Sequence, residues 1–152
     1  MITNNLIIKP FSFEHLNEIL SYQYELYTSN FKNHEALPSN DDVASFFINY
    51  SDQAFVLLED NKIVGFYCYI DTIDIAILAQ IFVVKNYRGK GYGKKLLNHF
   101  EKQLSHNNYK SYQLQASLMN TGAVELYKKI GCKVIETFEE SGEVRYIMSK
   151  KI

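Results

Sequence analysis

Six consecutive residues, Arg88-Gly89-Lys90-Gly91-Tyr92-Gly93, hold three of the chain's 7 glycines together with two cations. Glycine inside a helix costs about 1 kcal/mol relative to alanine. Three glycines ahead of a helical pattern therefore signal a backbone requirement: positive φ, or close approach of another molecule to the main chain. A helix N-terminus presents free N–H groups and the positive end of the helix dipole. With Arg88, Lys90, Lys94 and Lys95 beside it, the place suits a phosphate or pyrophosphate. Hydrogen bonds to a charged group are worth about 1.5–3 kcal/mol each, so a few N–H groups hold an anion without a catalytic side chain. The spacing departs from two common nucleotide loops. G-x-G-x-x-G fails at its third glycine, where Lys94 stands. G-x-x-x-x-G-K-[ST] fails because the glycines are one residue too close and Lys95 replaces Ser or Thr.

The flanking residues supply the elements that position this loop. Residues 81–84, IFVV, read as a strand, and Leu96, Leu97, Phe100 and Leu104 recur at helical spacing. Upstream, residues 6–9 read as a strand stopped by Pro10. Ser12 caps an expected helix over about 13–29, with Phe13, Leu16, Leu20 and Tyr27 on one face. A polar loop with Pro38 follows, then a second helix after Ser39 or Asn40 with the stripe Val43, Phe46, Phe47 and Tyr50. Residues 54–59 and 62–70 form a hairpin around Asp60-Asn61, and after a turn at 71–74 the strand 75–84 enters the glycine loop. Downstream come a strand at 112–116, a helix at 120–130 closed by Gly131, and strands at 132–138 and 144–149 around Ser141-Gly142. The sum is a mixed α/β domain with a parallel strand pair around the glycine helix.

At 152 residues the chain reads as a single domain, 1–152, that buries about two-thirds of its unfolded surface. Hydrophobic residues at 47% and aromatics at 14% provide the core. A net charge of -1 argues against a nucleic-acid partner. No apolar run approaches membrane-spanning length, and the first residues lack the pattern of a secretory signal, so a cytoplasmic protein with no membrane partner is expected. Cys68 and Cys132 sit among apolar neighbours and read as buried, reduced thiols. His15, His34, His99 and His106 lack metal-ligand spacing and read as surface or partly packed; no metal is expected.

The loop fits the pattern R/Q-x-x-G-x-G/A. Residues 120–132, NTGAVELYKKIGC, fit N-x-x-A-x-x-L-Y-x-K-x-G-F, with Cys132 in place of Phe. Through these two segments, in this order, residues 54–149 resemble the GNAT superfamily of N-acetyltransferases. The resemblance implies an α/β (α+β) fold with a mixed central sheet of six to seven strands and about four helices. It implies acetyl-coenzyme A as co-substrate and direct attack by a primary amine in a ternary complex. The implied cofactor site is the backbone of Phe82, Val83 and Val84, the loop residues Arg88, Gly89, Lys90, Gly91, Tyr92, Gly93 and Lys94, then Asn120 on the pantetheine arm, Ala123, and Tyr127 at the sulfur.

Read by residue type alone, Asn120 is equally a helix N-cap and Tyr127 a core tyrosine. By resemblance, Tyr127 is the general acid that protonates the leaving thiolate. The family often carries a glutamate base on the strand before the loop. Here Gln80 stands near that position, which leaves the base to Asp71, Asp74 or water and admits an alternative: a non-catalytic acyl-coenzyme A-binding module. The acceptor is a small-molecule amine or a peptide or protein amine, and a homodimer is an admissible assembly. Acidic turns at Asp71 and Asp74 and at Glu139, Glu140 and Glu143 favour a cationic amine.

Overall fold

The computed structural model of the chain describes residues 5–23, 25–26, 39–140 and 142–152. Seven strands build one sheet: β1 (Leu6–Pro10), β2 (Ala54–Glu59), β3 (Lys62–Asp71), β4 (Ala76–Val83), β5 (Ser111–Ser117), β6 (Lys133–Glu140) and β7 (Glu143–Lys151). Their order across the sheet is β1-β2-β3-β4-β5-β7-β6. Among the described residues, four α-helices flank it: α1 (Leu16–Ser21), α2 (Asn40–Asn49), α3 (Tyr92–His106) and α4 (Thr121–Lys129). The β2–β3 hairpin turns on Asp60 and Asn61, both at positive φ (50° and 68°), the backbone that a two-residue hairpin loop of matching twist requires.

The middle strands are apolar on both faces because both faces are covered. On one face, Leu57, Tyr67 and Leu78 pack with Leu96, Leu97, Phe100 and Leu104 of α3 and Tyr127 of α4. On the other, Val56, Phe66 and Phe82 pack with Ile19 of α1 and Val43 and Phe47 of α2.

Two features of β4 set the geometry around the glycine loop. Its parallel pairing with β5 covers Ala76–Tyr112, Ile77–Gln113 and Leu78–Leu114, and the two strands then diverge. Beside the divergence, Leu78 pairs with Tyr69 and Gln80 with Cys68, so Ala79 is an extra, bulged residue. A bulge shifts the face alternation by one residue. Ala76 and Leu78 before it, and Ile81 and Val83 after it, all reach the α3/α4 layer, while Phe82 faces α1 and α2.

The first helix differs from expectation. It opens as a 3-10 turn, Phe13–His15, becomes α-helical over Leu16–Ser21 and closes at Tyr22; helical backbone returns at Gln23, Glu25 and Leu26. Tyr27, His34, Pro38 and Ser141, each part of a sequence expectation, lie outside the described residues. His15, expected at the surface or partly packed, is buried; its Nδ1 accepts the Ser12 N–H at 3.0 Å, a bond at the helix entrance that offsets the cost of burying the ring. Both cysteines are free and buried.

Candidate active site

The chain leaves β4 through a 3-10 turn, Lys85–Tyr87, fixed by the Tyr87 N–H donating to the Val84 carbonyl at 2.8 Å. Gly89 and Gly91 take φ of 79° and 82°, a region that other L-residues adopt at a cost. A Cβ on either would meet no described protein atom within 4 Å, so this backbone lies bare toward open space. The first bond of α3 runs from the Lys95 N–H to the Gly91 carbonyl, and among the described residues no side chain caps the N–H groups ahead of it. The result is a bare, positively polarised helix end.

That end faces a groove of about 630 Å³. One wall is Phe82, Val83, Arg88, Gly89, Gly91, Tyr92, Gly93 and Lys94; the other is Asn120, Ala123 and Tyr127. The groove also takes in Ile81, Tyr87 and Gly122, and the motif positions Leu126 and Lys129, none of which was assigned to the cofactor. Lys90 and Val84 are not among its lining residues. Lys90 sits over the Tyr87 ring, 5.3 Å from its centroid.

Strand geometry says which main-chain groups of β4 the groove receives. The Val84 N–H donates to the Val64 carbonyl at 2.9 Å, and Phe82 pairs with Phe66. In an antiparallel pair, alternate residues turn their N–H and C=O toward the partner. Phe82 and Val84 therefore turn toward β3, and Ile81 and Val83 turn toward the gap left by β5. Of the expected trio Phe82, Val83 and Val84, Val83 alone turns its main-chain groups toward the gap, and Ile81 turns with it, for a reason of parity that a motif does not carry. The Phe82 ring packs away from the groove, against Phe66 and Tyr22.

Arg88 is held within the protein. Its Nε donates to the Val83 carbonyl at 2.8 Å, its Nη2 lies 3.3 Å from Glu25, and its guanidinium sits over the Phe82 ring. The Tyr92 hydroxyl donates to Glu59. Asn120 Oδ1 accepts the Ala123 N–H at 3.2 Å, so the capping reading of Asn120 holds, on a residue that also lines the groove.

Behind the bulge, on the sheet face turned to α1 and α2, lies a second pocket of about 350 Å³. Gln80 lines it, with Gln115, Ser117 and Arg145 among its polar residues. Ile81 and Tyr127 belong to both cavities. Tyr127 is 7% exposed, and burial, with a smaller contribution from Cys132, raises its phenol far above the usual 10. It keeps its proton throughout the neutral range. Asp71 and Asp74 line neither cavity; they sit at the β3–β4 turn, the end of β4 remote from the loop, and Asp71 accepts from Gln53. Glu139 and Glu140 are exposed on β6. A depression of about 660 Å³ between α3 and the end of β7, lined by Lys102, His106 and Lys150, is remote from the loop and adjoins no strand gap.

Residues 18–132 match the acetyltransferase (GNAT) family. The chain belongs to that family. A relative from Haemophilus influenzae, the [ribosomal protein bS18]-alanine N-acetyltransferase, is 32% identical over 80 residues, which cover 53% of this chain and 54% of the relative. The match thus spans about half the length of that relative. The GNAT arrangement of strands and helices recurs in two solved structures of lower identity. The PaiA N-acetyltransferase of Thermoplasma acidophilum, in complex with coenzyme A, superposes with a TM-score of 0.83 at 19% identity, over 97% of this chain and 99% of that one. The ribosomal-protein-S18-alanine N-acetyltransferase of Escherichia coli gives 0.77 at 22% identity, over 97% and 94%.

Proposed function

We propose that the protein is an N-acetyltransferase that moves the acetyl group of acetyl-coenzyme A to a primary amine within a ternary complex. The observation that carries this reading is the shared wall: Ile81 and Tyr127 line the groove and the second pocket together, so two substrates entering from opposite faces meet there. The groove fits the cofactor. Its bare glycine backbone and the Lys94 side chain suit a pyrophosphate, and the gap-facing groups of Ile81 and Val83 suit an amide-bearing arm laid alongside β4. Bound acetyl-coenzyme A supplies the thioester that the amine attacks.

The chain's own residues then have two tasks. An N–H at the end of β4 stabilises the oxyanion. Tyr127, protonated and buried, donates at Oη to the departing sulfur. Gln80 has no basic group, and no carboxylate lines the second pocket among the described residues, so the amine gives up its proton to water. The free, buried cysteines support a reducing compartment, the cytoplasm. Gln80 also supports a second reading, an acyl-coenzyme A-binding module without turnover.

Thiol release from acetyl-coenzyme A over a panel of small-molecule and peptide amines, with mass spectrometry of the products, tests the proposal. Release matched by an acetylated product is expected. Binding without turnover on any amine selects the binding module. Failure to bind coenzyme A at all overturns both.

A further inference from the structure

The second pocket begins where the groove ends, at Ile81 and Tyr127. An amine that attacks at this junction keeps the rest of its molecule in the pocket, and the walls there differ from each other. On the β4 side stand Ile70, Ile77 and Ala79, with Leu26 from the helical backbone beyond α1; on the β5 side stand Gln115 and Ser117. We infer that the acceptor is a peptide amino terminus with an aliphatic first side chain, which lies against Ile70 and Ile77 while its peptide group turns to Gln115 and Ser117; this rests on the proposed acetyl transfer.

Parity in the sheet separates the walls. Tyr69 of β3 and Ala76 and Leu78 of β4 pack into the α3/α4 layer, so Ile70 and Ile77, next to them in the chain, project from the opposite face. The two isoleucines are direct partners across β3 and β4. On β5, Leu114 and Ala116 belong to the α3/α4 layer, which turns Gln115 and Ser117 to the face of the isoleucines.

Burial shows what the aliphatic wall lacks. From Ile63 to Tyr69 every residue of β3 is buried, and then Ile70 is only half-buried. Ile77 and Ala79 are half-buried as well. Among the described residues, neither Ile70 nor Ile77 joins one of the two buried layers. An aliphatic group laid on this pair removes apolar surface from water on both sides of the contact. The other wall argues against a bare alkylamine. The Ser117 Oγ accepts the Met119 N–H at 3.2 Å and keeps a hydroxyl proton to donate. Gln115, exposed, brings an amide. Together they complement the C=O and N–H of a peptide group. Gln80 and Arg145 also line the pocket, and both have partners within the protein.

The chain that follows the first residue has a path. Ser117 lines the pocket and Asn120 the groove, and the turn between them carries Leu118 and Met119, both exposed. The Leu118 N–H donates to the Val144 carbonyl at 3.2 Å, which brings Val144, exposed as well, to the same rim. Exposed apolar residues are ordinary when scattered; three together beside a substrate pocket offer a surface for the second residue onward. The acidic turns do not select the acceptor. Asp71, Asp74, Glu139, Glu140 and Glu143 line neither cavity, so the expected cationic partner group gives way to an aliphatic one.

The test uses the whole chain with acetyl-coenzyme A. Tripeptide amides that differ only in the first residue, glycyl, leucyl, isoleucyl or aspartyl, are compared in kcat/KM with leucinamide, isoamylamine and putrescine. The leucyl or isoleucyl peptide should exceed the glycyl and aspartyl peptides by at least about tenfold, the scale on which an apolar pocket reads added methylenes. It should also exceed leucinamide and isoamylamine, which carry the aliphatic group without the peptide chain. Any other best substrate leaves the acetyltransferase standing and overturns this inference. Ile77→Thr keeps the branched shape and adds a hydroxyl, so it should bring the leucyl-to-glycyl ratio toward one, while Ile77→Val keeps most of it. A purely structural Ile77 lowers Tm in Ile77→Thr and leaves the ratio intact, which also overturns the inference. Binding is read apart from turnover, in the native chain. With coenzyme A present, the δ1-methyl NMR signals that Ile70→Val and Ile77→Val remove should shift on titration with N-acetyl-leucyl-alaninamide and stay in place with N-acetyl-glycyl-alaninamide. Such shifts without acetylation of any amine uphold the pocket's selectivity and overturn the transfer. Signals that respond to neither compound, or to both alike, overturn the inference whether or not any amine is acetylated.

Discussion

The groove and the pocket meet at Ile81 and Tyr127, yet they are built in opposite ways. The groove comes from two continuous stretches, residues 81–94 and 120–129, and its chemistry is largely main chain: bare glycines, an uncapped helix end, the edge of β4 where β5 has diverged. The pocket comes from single side chains on β4, β5 and β7, far apart in sequence. A site made of backbone tolerates many side chains but few backbone changes. A site made of scattered side chains keeps its shape while its selectivity is redrawn one residue at a time. The first suits a cofactor, the second an acceptor.

The strongest way to break this comparison is at Gly91. Its Cβ would project into open space rather than into protein, so Gly91→Val challenges the ligand's approach more than the packing. The residue's φ of 82° adds about 1–3 kcal/mol of backbone strain. Loss of several charged hydrogen bonds should lower acetyl-coenzyme A affinity by at least about a hundredfold. Calorimetry with circular dichroism checks this, and unchanged affinity in a folded Gly91→Val would remove the pyrophosphate from the loop.

The same contrast explains what the sequence discloses. The glycine loop, the helix behind it and the segment from Asn120 to Gly131 are local; the loop's glycines and cations point to an anion, and the resemblance adds the wall from Asn120 to Tyr127. The strand pattern is legible too, down to the parallel pair beside the glycine helix. Parity is not. The bulge at Ala79 turns the strand by one residue, so the main chain facing the gap is that of Ile81 and Val83, and a one-residue slip has no signature in an apolar run such as AILAQIFV. Arg145 is hidden for a different reason. In sequence it is one cation beside Glu143 in a strand, and only the pairing of β5 with β7 carries it to Gln80. Arg88 was legible as a loop cation, but its contacts to the Val83 carbonyl and Glu25 depend on a strand end and a helix distant in the chain.

Tyr127 sharpens the comparison, being the side chain that both cavities share. Tyr127→Phe keeps the ring in its buried place and removes the hydroxyl. If the phenol protonates the leaving sulfur, kcat should fall at least about tenfold, with coenzyme A affinity and Tm little changed. Because burial holds the phenol far above its usual value, the native rate should show no loss from Tyr127 as pH rises from 7 to about 9. An unaltered kcat in the variant assigns the proton to water and leaves Tyr127 as packing.

Arg88→Ala separates a cofactor contact from a brace. Its bond to the Val83 carbonyl and its half-exposed pair with Glu25 together are worth about 1–2 kcal/mol of stability. Coenzyme A affinity should fall by less than about tenfold, since the guanidinium works through the strand end. The acceptor KM should rise with it, because Glu25 adjoins Leu26, which lines the second pocket. A drop in coenzyme A affinity beyond a hundredfold with unchanged Tm would return Arg88 to direct phosphate binding.

The smallest effect divides the two layers by pH. His99 lies in the α3 layer, where its Nδ1 meets the Tyr67 hydroxyl at 2.7 Å; burial, and then Lys102, lower its pKa below the usual 6.5. His15 lies in the α1 layer, where burial and Lys9 lower its pKa, against smaller opposing contributions from Glu14 and Glu18. Both rings are therefore neutral in the fold at pH values where the unfolded chain already binds protons. More protons bound in the unfolded state means that stability rises with pH. The contribution is complete above about 6.5 and is lost as pH falls from there through the folded-state values. Tm should thus decline between pH 7 and 5, and His99→Gln and His15→Gln should each flatten part of that slope. If the slope belongs to the acceptor-side layer, His15→Gln flattens it and also reduces the acid dependence of acceptor KM, while His99→Gln leaves KM as it was. A Tm that is level from pH 7 to 5 in the native protein would mean that both rings reach water when protonated, and the α1 layer would then be looser than the packing of Ile19 with Phe11 and Phe47 indicates.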